Sequence, residues 1–502
     1  MGLLAALVSA LLLIVAFPPF GVGVLALVAP IPLLWALRRA RSGWMGALYG
    51  AVFGVAFFLG LIWWIGALGL VALVPLVLTQ AAFPTVYGAL LARARSWSPA
   101  RWWVAAVGGW ALMELVRERF PVGGLSWGML GYPVGEYAAT RGATQWIGTS
   151  GWSVVLIAVA AGTVVALERR RFGPLVVSGA AVIGLGLAGW AWPGVAEGAP
   201  LRVAIVQGNT PCPGTHCTDE RYGTYQLHLE MTRTIPAGSV DLVVWAEGAT
   251  GSTNADPVLV PEVAEAIGDE AARIGAYLMV GGDRVISDTE WINANVLFDR
   301  EGEIVGEYRK RQPVPFGEYV PWRSFLTPLI PELSQVPRDM IRGDDPVVFS
   351  ADFGMLGSVV SWEGSFARFP RDIARSGAEL LVVATNNASY EVSPASDQLI
   401  GMTRMRAAEL GFDVVHAAVT GRSTLITDGG EVGERTPIYE PALLVGEVQM
   451  RDSGPTLYTR LGDWVQVTAV LGLVVVLFRR RPAPPEPTEE IPERRITAVG
   501  GG

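Results

Sequence analysis

The sequence predicts a membrane protein in two parts: a bundle of about eight transmembrane α-helices and one large α/β domain. Its 502 residues are 51% hydrophobic and only 17% charged, whereas a soluble protein usually has about 25% charged residues. Residues 1–198 and 460–478 are strongly apolar, while most acidic residues lie in 200–459. Within 200–459, short apolar runs rich in β-branched residues alternate with helical stretches. This alternation predicts a layered α/β domain.

Eight apolar segments are predicted to cross the membrane, because a bilayer core requires roughly 20 apolar residues per helix. The first is short and followed by prolines, but no basic residue precedes it and further spans follow directly, so we favour a span over a signal peptide. The predicted spans are 3–17, 22–37, 44–65, 67–93, 101–118, 152–167, 172–192 and 460–478.

Four arginine clusters predict how these spans are oriented, because cytoplasmic loops carry an excess of Lys and Arg. With eight spans, all four clusters fall on one side, and both termini are then inside the cell. The clusters are Arg38, Arg39 and Arg41; Arg93, Arg95 and Arg101; Arg169, Arg170 and Arg171; and Arg479, Arg480 and Arg481. The large domain is therefore expected outside the cytoplasm, and an error of one in the count would break this agreement.

These features divide the chain into four predicted regions. Residues 1–198 form a transmembrane domain with spans one to seven, and 199–459 form the extracytoplasmic domain. Residues 460–481 contain span eight, and the Pro- and Glu-rich residues 482–502 are predicted to be a disordered cytoplasmic tail. Residues 119–151, which are rich in Gly, Pro and aromatics, are expected to lie in the outer interface, either as a plain connector or as a lipid-facing entrance.

Composition argues against several kinds of partner and cofactor. The net charge of −8 gives no indication of nucleic-acid binding, and three histidines without a CxxC pair make a metal site unexpected. The two cysteines, Cys212 and Cys217, lie close together in a polar loop. Because this loop is predicted outside the cytoplasm, we favour a disulfide between them over two free thiols.

The α/β domain is predicted from its local patterns. The predicted strands are 201–207, 242–245, 276–281, 295–298, 304–308, 355–362, 380–385, 414–418 and 423–426, with 295–298 and 304–308 as a hairpin. The predicted helices are 225–235, 257–274, 367–376 and 398–410.

Three chemically useful side chains follow predicted strands, and sites in open α/β sheets form at the carboxyl ends of strands. Glu247 follows the second strand, Lys310 follows the hairpin, and Ser361 lies near the end of the strand at 355–362. An acid that moves protons, an ammonium that stabilises an oxyanion and an attacking group are the parts of a covalent acyl-transfer site. The alternative is that the charged groups are ordinary solvated surface residues.

The order Glu, Lys and nucleophile resembles the nitrilase superfamily of carbon–nitrogen hydrolases, and longer segments resemble its membrane-bound branch, the apolipoprotein N-acyltransferases. The segments are Phe-Pro-Pro-Phe-Gly at 17–21, Val-Gln-Gly-Asn at 206–209, Tyr-Arg-Lys at 308–310, Val-Pro-Phe-Gly-Glu-Tyr-Val-Pro at 314–321 and Arg-Met-Arg-Ala-Ala-Glu-Leu-Gly at 404–411. The resemblance implies eight spans in a bacterial cytoplasmic (inner) membrane. It also implies that the extracytoplasmic domain is a nitrilase-like αββα sandwich.

The activity that the resemblance implies is acyl transfer without a cofactor. A phospholipid would donate a fatty acyl group to the enzyme as a thioester, and the free amine of a lipoprotein's N-terminal diacylglyceryl-cysteine would accept it. By motif, Glu247 would be the general base and Lys310 would stabilise the oxyanion. Glu318 would orient Lys310, and Glu363 would be a supporting acid beside the nucleophile.

The chain departs from the family pattern at the nucleophile, where Ser361-Trp362-Glu363 stands in place of Cys-Tyr-Glu. A thiol has a pKa of about 8.5 and can become a thiolate, whereas a serine normally requires a histidine base. Two flanking segments also differ: Trp-Ala-Glu at 245–247 in place of Trp-Pro-Glu, and the segment 385–390 in place of Asn-Asp-Ala-Trp. Drift at several positions favours relaxed catalytic demand over a single engineered Cys→Ser change.

Two hypotheses therefore follow. The chain is an N-acyltransferase by family, either active with Ser361 or an active-site mutant, or it is a catalytically silent paralogue that binds lipid or lipoprotein as a scaffold or partner. The four retained residues Glu247, Lys310, Glu318 and Glu363 favour the enzyme, whereas the serine and the altered flanks favour the scaffold. A membrane-bound amide hydrolase is a third and weaker hypothesis, because it also lacks its thiol.

Overall fold

The computed structural model describes residues 1–191, 198–212, 220–251, 253–390 and 392–478. Its N-terminal part is helical. The helices are α1 Gly2–Ala16, α2 Pro30–Arg39, α3 Gly43–Leu61, α4 Leu70–Arg93, α5 Pro99–Arg117, α6 Ala138–Gly142, α7 Thr144–Arg169 and α8 Gly173–Ala191. Among the described residues, four helices (α3, α4, α7 and α8) are long and apolar enough to cross a membrane. The predicted total of eight spans stays a prediction.

The predicted second span is interrupted in the structure. Residues 22–37 were expected to form one helix, but a 3₁₀ turn at Gly23–Leu27 precedes α2. Pro30 opens α2, and a proline is accommodated at the first helical position because the N–H that it lacks would have no partner there. The proline therefore favours a new helix start at this point over a continuous helix.

The C-terminal part combines strands and further helices. The strands are β1 Pro200–Gln207, β2 Leu242–Trp245, β3 Tyr277–Val285, β4 Glu290–Phe298, β5 Ile304–Arg309, β6 Asp339–Met340, β7 Val348–Ala351, β8 Gly354–Val360, β9 Leu380–Thr385, β10 Val414–Ala418, β11 Thr424–Ile426 and β12 Ala442–Gln449. The helices are α9 Glu220–Thr232, α10 Pro261–Ile274, α11 Arg323–Leu326, α12 Arg368–Arg375, α13 Ala395–Leu410, α14 Leu457–Leu461 and α15 Trp464–Phe478.

Two sheets organise this α/β domain. Within the described residues, one sheet has the order β12-β1-β2-β3-β4-β5 with β6 beside β4, and the other has the order β11-β10-β9-β8-β7. Parallel pairing joins β1, β2 and β3 in the first sheet and β8, β9 and β10 in the second. Because β4 is antiparallel to both β3 and β5, β5 runs in the same direction as β2. Their carboxyl ends therefore lie at the same edge.

Alternating side chains along the strands build a sandwich of helix, sheet, sheet and helix. Along β1 and β2, Val203 and Val244 belong to a core shared with the second sheet, α12 and α13. Their neighbours Ala204 and Val243 belong to a core shared with α9 and α10. Successive strand residues point to opposite faces, so this alternation places a helical layer outside each sheet.

The predicted elements of this domain agree with most of the structure. The strands predicted at 242–245, 380–385 and 414–418 have the observed bounds of β2, β9 and β10. The strand predicted at 355–362 is wrong at its end, because β8 stops at Val360 and Ser361–Ser365 forms a 3₁₀ turn. The short strands β6 and β7 and the edge strand β12 were not predicted.

Gln398, on α13, fastens the α/β domain to the helical part. Its side-chain oxygen accepts hydrogen bonds from the indole N–H groups of Trp64 and Trp127, both at 3.0 Å. Its amide nitrogen donates to the carbonyls of Pro18, at 3.2 Å, and Leu61, at 3.0 Å. The side chain is buried, but these four bonds satisfy its oxygen and its amide nitrogen. They therefore offset most of the free-energy cost of removing it from water.

Glu409, at the other end of α13, makes a second fastening. Within α7, Gly148 has φ 67°, which breaks the helical conformation and leaves the next amide without its helical partner. The Glu409 carboxylate accepts that N–H of Thr149 and also its hydroxyl, both at 2.6 Å. Arg406 lies 3.0 Å from the same carboxylate. A buried ion pair from the α/β domain thus caps a helix of the apolar part.

Part of the segment 119–151 packs against the α/β domain, and its predicted position in the outer interface stays a prediction. Trp127 and Tyr132 are buried. The Tyr132 hydroxyl donates to the carbonyl of Ser365, and the hydroxyls of Ser126 and Ser365 lie 2.6 Å apart. Tyr132 and Ser126 of this segment therefore support the turn that begins at Ser361.

We predict that Gln398→Ala destabilises the whole chain. The change removes four hydrogen bonds and leaves two indole N–H groups without their acceptor, at a cost of at least about 2 kcal/mol. Thermal unfolding of the purified protein in detergent measures the loss as a lower midpoint. The control is Gln335→Ala on the exposed 3₁₀ turn, which should leave the midpoint unchanged. Equal midpoints for both variants would contradict the fastening role.

Candidate active site

Three predicted site residues lie at the edge where the carboxyl ends of β2, β5 and β8 meet. Glu247 follows β2 by two residues, Lys310 follows β5 directly, and Ser361 follows β8 directly. Beneath this edge, the side chain of Asn295 on β4 donates a 2.6 Å hydrogen bond to the hydroxyl of Ser358 on β8. That bond joins the two sheets close to the strand ends and holds the edge together.

A buried ammonium lies between two carboxylates. The Nζ of Lys310 is 2.9 Å from Glu247 Oε1 and 2.5 Å from Glu318 Oε1. Its side chain is only 1% exposed, so both contacts occur away from bulk water. The second oxygen of Glu318 accepts the backbone N–H of Val314 at 2.7 Å. The segment 314–321, which carries the family-like motif, thus folds over Lys310 and places Glu318 in contact with it.

Electrostatics keep this lysine protonated. Burial alone lowers the pKa of Lys310, but the charges of Glu247 and Glu318 and their hydrogen bonds outweigh burial and raise it above the usual value. Burial raises the pKa of Glu318, against the opposing charge of Lys310. A permanently charged ammonium in a site of low dielectric is a strong stabiliser of developing negative charge.

Glu363 connects the lysine segment to the serine turn. One carboxylate oxygen accepts the backbone N–H groups of Arg311 and Gln312, at 2.5 and 2.7 Å. The other accepts the N–H of Val360 and the hydroxyl of Tyr308, both at 2.8 Å. Since Glu363 is fully buried and all four bonds are internal, its geometry is that of a positioning residue.

Ser361 occupies a strained position in that turn. Its φ is 57°, in the left-handed region that few residues other than glycine adopt. A nucleophile on a sharp turn between a strand and a helix is a known device for exposing the attacking atom, and strain of this kind clusters at functional sites. Direct contacts join Glu247, Lys310 and Glu318, whereas the link from Ser361 to them runs through Glu363.

Two further polar residues at this edge were missed by the sequence analysis. Asn293 donates from Nδ2 to Glu247 Oε1 at 2.8 Å. Asp283 is its direct cross-strand partner in the β3–β4 pair, so both side chains lie on one face. Burial, and then the charge of Glu247, raise the pKa of Asp283 to about 7. The available signal was the polar pair Asp-Arg at 283–284, which begins two residues after the predicted strand 276–281.

Neither described histidine is positioned as a base for Ser361. His228 accepts the N–H of Gly208 through Nε2 and bonds the carbonyl of Thr224 through Nδ1, while burial lowers its pKa to about 4. His416 is buried within β10, and burial lowers its pKa to about 3. His216 and Cys217 lie outside the described residues, and the predicted Cys212–Cys217 disulfide stays a prediction.

The helical part reaches this edge through an aromatic contact. The ring of Trp64 lies 4.7 Å from that of Tyr390 in a T-shaped arrangement. Burial raises the pKa of Tyr390 to about 12, and the charges of Glu318, Lys310 and Glu247 also act on it. Tyr390 therefore contacts the helical part through Trp64 and is also influenced by the buried charges.

Comparison with known proteins decides the family. The family model described as carbon–nitrogen hydrolase matches residues 202–457, and that of the apolipoprotein N-acyltransferase N-terminal domain matches 9–162. An apolipoprotein N-acyltransferase of Methylococcus capsulatus is 31% identical over 96% of this chain and 96% of its own length. The chain belongs to the apolipoprotein N-acyltransferase family. The family predicted from the motifs is thus confirmed, and with it the nitrilase-like fold of the α/β domain.

Other members of the family show similar agreement. The apolipoprotein N-acyltransferase of Geobacter metallireducens is 29% identical over 95% of both chains. That of Gloeobacter violaceus is 29% identical over 96% of this chain and 95% of its own. Among solved structures, an amidase from Nesterenkonia sp. aligns with 18% identity and a TM-score of 0.39, over 53% of this chain and 94% of that one. The catalytic roles assigned to individual residues stay predictions.

We predict that Asp283→Asn stabilises the protein more at pH 8 than at pH 4.5. The folded state holds the Asp283 proton up to about pH 7, whereas an unfolded aspartate loses it near pH 3.9. The unfolded state binds fewer protons in this window, so stability falls as pH rises through it. Besides Glu247, the charges acting on this group are Arg221, Glu318 and Lys310, and asparagine removes the cost.

Unfolding midpoints in detergent at the two pH values measure this effect. Asp288→Asn, on the exposed turn between β3 and β4, is the matched control and should show no such pH dependence. A difference between Asp283→Asn and wild type that does not change with pH would contradict the assignment.

Proposed function

We propose that this chain transfers a fatty acyl group from a phospholipid to the N-terminal amine of diacylglyceryl-cysteine lipoproteins, with Ser361 as the acyl carrier. The observation that carries the proposal is the buried Lys310 between Glu247 and Glu318, at the edge where Ser361 begins its turn. Family membership supports the substrate classes, because the relatives are named apolipoprotein N-acyltransferases and align with this chain over nearly their full length.

In the first half-reaction, Glu247 takes the proton of the Ser361 hydroxyl, and the serine oxygen attacks the ester carbonyl of the phospholipid. The ammonium of Lys310 stabilises the tetrahedral oxyanion. The C–O bond to glycerol then breaks, and Glu247 returns its proton to the departing lysophospholipid oxygen. The product is an acyl ester on Ser361.

In the second half-reaction, the neutral amine of the lipoprotein attacks the ester carbonyl on Ser361. Lys310 again stabilises the oxyanion while the C–N bond forms. The amine proton passes through Glu247 to the serine oxygen as the C–O bond breaks, which restores the hydroxyl. Glu318 keeps Lys310 in place, and Glu363 holds the segment after Lys310 against the turn that contains Ser361.

The serine makes slow turnover the expected behaviour. A hydroxyl is a far weaker acid than a thiol, so less of the nucleophile is activated at neutral pH, and an ester is a less reactive acyl donor than a thioester. The same observation favours the second candidate, a silent paralogue that binds lipid or lipoprotein as a scaffold. The retained ion cluster and the strained φ of Ser361 favour the enzyme.

The proposal also states where the protein lies in the cell and which residues span the membrane. The protein is a multi-pass protein of a bacterial cytoplasmic (inner) membrane, with about eight spans in residues 1–198 and 460–481 and a cytoplasmic tail in 482–502. Residues 199–459 face the outside, where lipoproteins are acylated. The four apolar helices support a membrane protein, and the arginine clusters support this orientation.

We predict that the rate of acyl transfer depends on the atom at position 361. Wild type should transfer slowly, Ser361→Cys at least about tenfold faster because a thiolate forms more readily, and Ser361→Ala not at all. Mass spectrometry of a diacylated lipopeptide incubated with phospholipid and purified protein measures the triacylated product. A well-folded Ser361→Cys variant without any gain in rate would count against catalysis and in favour of the scaffold.

We also predict the side of the membrane on which the α/β domain lies. Alkaline phosphatase inserted after Gly238, in an exposed turn, should be active because this enzyme requires an oxidising compartment. The same insertion in the arginine-containing segment 94–98 should be inactive, as should a fusion at the C-terminus. Activity in the reverse pattern would overturn the proposed orientation.

A further inference from the structure

Two acceptor oxygens near the catalytic carboxylate have no hydrogen-bond donor among the described residues. They are Oδ1 of Asp283 and Oδ1 of Asn293, and both atoms are buried. A buried acceptor without a donor costs free energy, so natural proteins rarely keep two in one place without a reason. The cost points to a ligand that carries N–H donors.

The arrangement of these oxygens is fixed by the sheet. Asp283 and Asn293 are directly paired across β3 and β4, so their side chains leave the same face of the sheet at a short separation. Asn293 donates a hydrogen bond from Nδ2 to Glu247, which leaves the Oδ1 of Asn293 as an acceptor. The three side chains of Glu247, Asn293 and Asp283 therefore present acceptors side by side.

The local charge also favours a cation. Lys310 is the ammonium bound by Glu247 and Glu318, and an ionised Asp283 adds a third carboxylate to this edge. Arg221 also acts on Asp283 by charge, but its side chain is exposed and thus screened by solvent. An alkylammonium has three N–H donors and a positive charge, which complements three neighbouring acceptors of net negative charge.

We propose that Asp283, with Asn293, binds the protonated α-amine of the lipoprotein substrate and takes its proton before the amine attacks the acyl group on Ser361. This inference rests on the proposed function. An N–H bond of the ammonium breaks and an O–H bond forms on Asp283, which leaves a neutral amine. The proton leaves Asp283 to water after the amide product departs.

This role separates two tasks that would otherwise fall on one carboxylate. Glu247 accepts hydrogen bonds from Lys310 and Asn293 and exchanges a proton with Ser361 in each half-reaction. A second base beside it can deprotonate the incoming amine without disturbing that exchange. An α-amine has an ordinary pKa of about 7.7 to 8.0, close enough to the raised value of Asp283 for proton transfer to be nearly balanced.

The test is the binding of two synthetic diacylated lipopeptides to the full chain in detergent, without phospholipid so that no turnover occurs. One peptide has a free α-amine and the other is its N-acetyl twin. Wild type should bind the amine more tightly, and Asp283→Asn should weaken binding of the amine roughly tenfold or more. Its binding of the N-acetyl twin should stay the same, which also shows that the site remains folded. Asp288→Asn is the control and should behave as wild type.

The outcomes separate the two proposals. If wild type prefers the amine and Asp283→Asn keeps that preference in full, the role of Asp283 is refuted while the proposed function stands. If Asp283→Asn weakens both peptides equally, its role is structural and the inference is also overturned. If wild type binds neither peptide, the proposed function itself fails, and the inference that rests on it fails too.

Discussion

The burial of one ammonium group constrains the whole site. An isolated charge in a protein interior is costly, and the cost is offset only when opposite charges and hydrogen bonds surround it. Lys310 therefore requires Glu247 and Glu318 at their observed distances. Glu318 in turn fixes the loop after β5 through the N–H of Val314, and Glu247 fixes Asn293 on β4. Loss of Lys310 would leave both carboxylates buried without their shared counter-charge.

The site also depends on the apolar helices, although none of the proposed catalytic groups comes from them. Ser365, which closes the serine turn, contacts Ser126 and Tyr132 of the helical part. Gln398 and Glu409 fasten α13 to the same part at two places. A substrate that arrives from the lipid phase would thus meet a site whose walls are shared by both halves of the chain.

The sequence predicts the parts of the site whose signal is local. Glu247, Lys310 and Ser361 lie at or just after the ends of predicted strands, and the segment around Glu318 has a specific motif. Asp283 and Asn293 were missed because their pairing depends on the register of two strands, which no local pattern encodes. The end of β8 was misplaced because the turn at Ser361 is held by Glu363, whose carboxylate accepts the backbone N–H groups of the distant residues Arg311 and Gln312. The interruption before Pro30 was missed because the span was predicted from its apolar length, which takes no account of how a proline breaks a helix.

The central claim is that Ser361 carries the acyl group in a site preorganised by Lys310. Peptide mapping by tandem mass spectrometry, after incubation of the purified protein with phospholipid alone, tests this claim most directly. The account predicts a fatty acyl ester on the Ser361 peptide, with its amount sharply reduced when Lys310 is replaced by methionine. An acyl group found only on another residue would contradict it. So would the absence of any adduct in both the wild type and the Ser361→Cys variant.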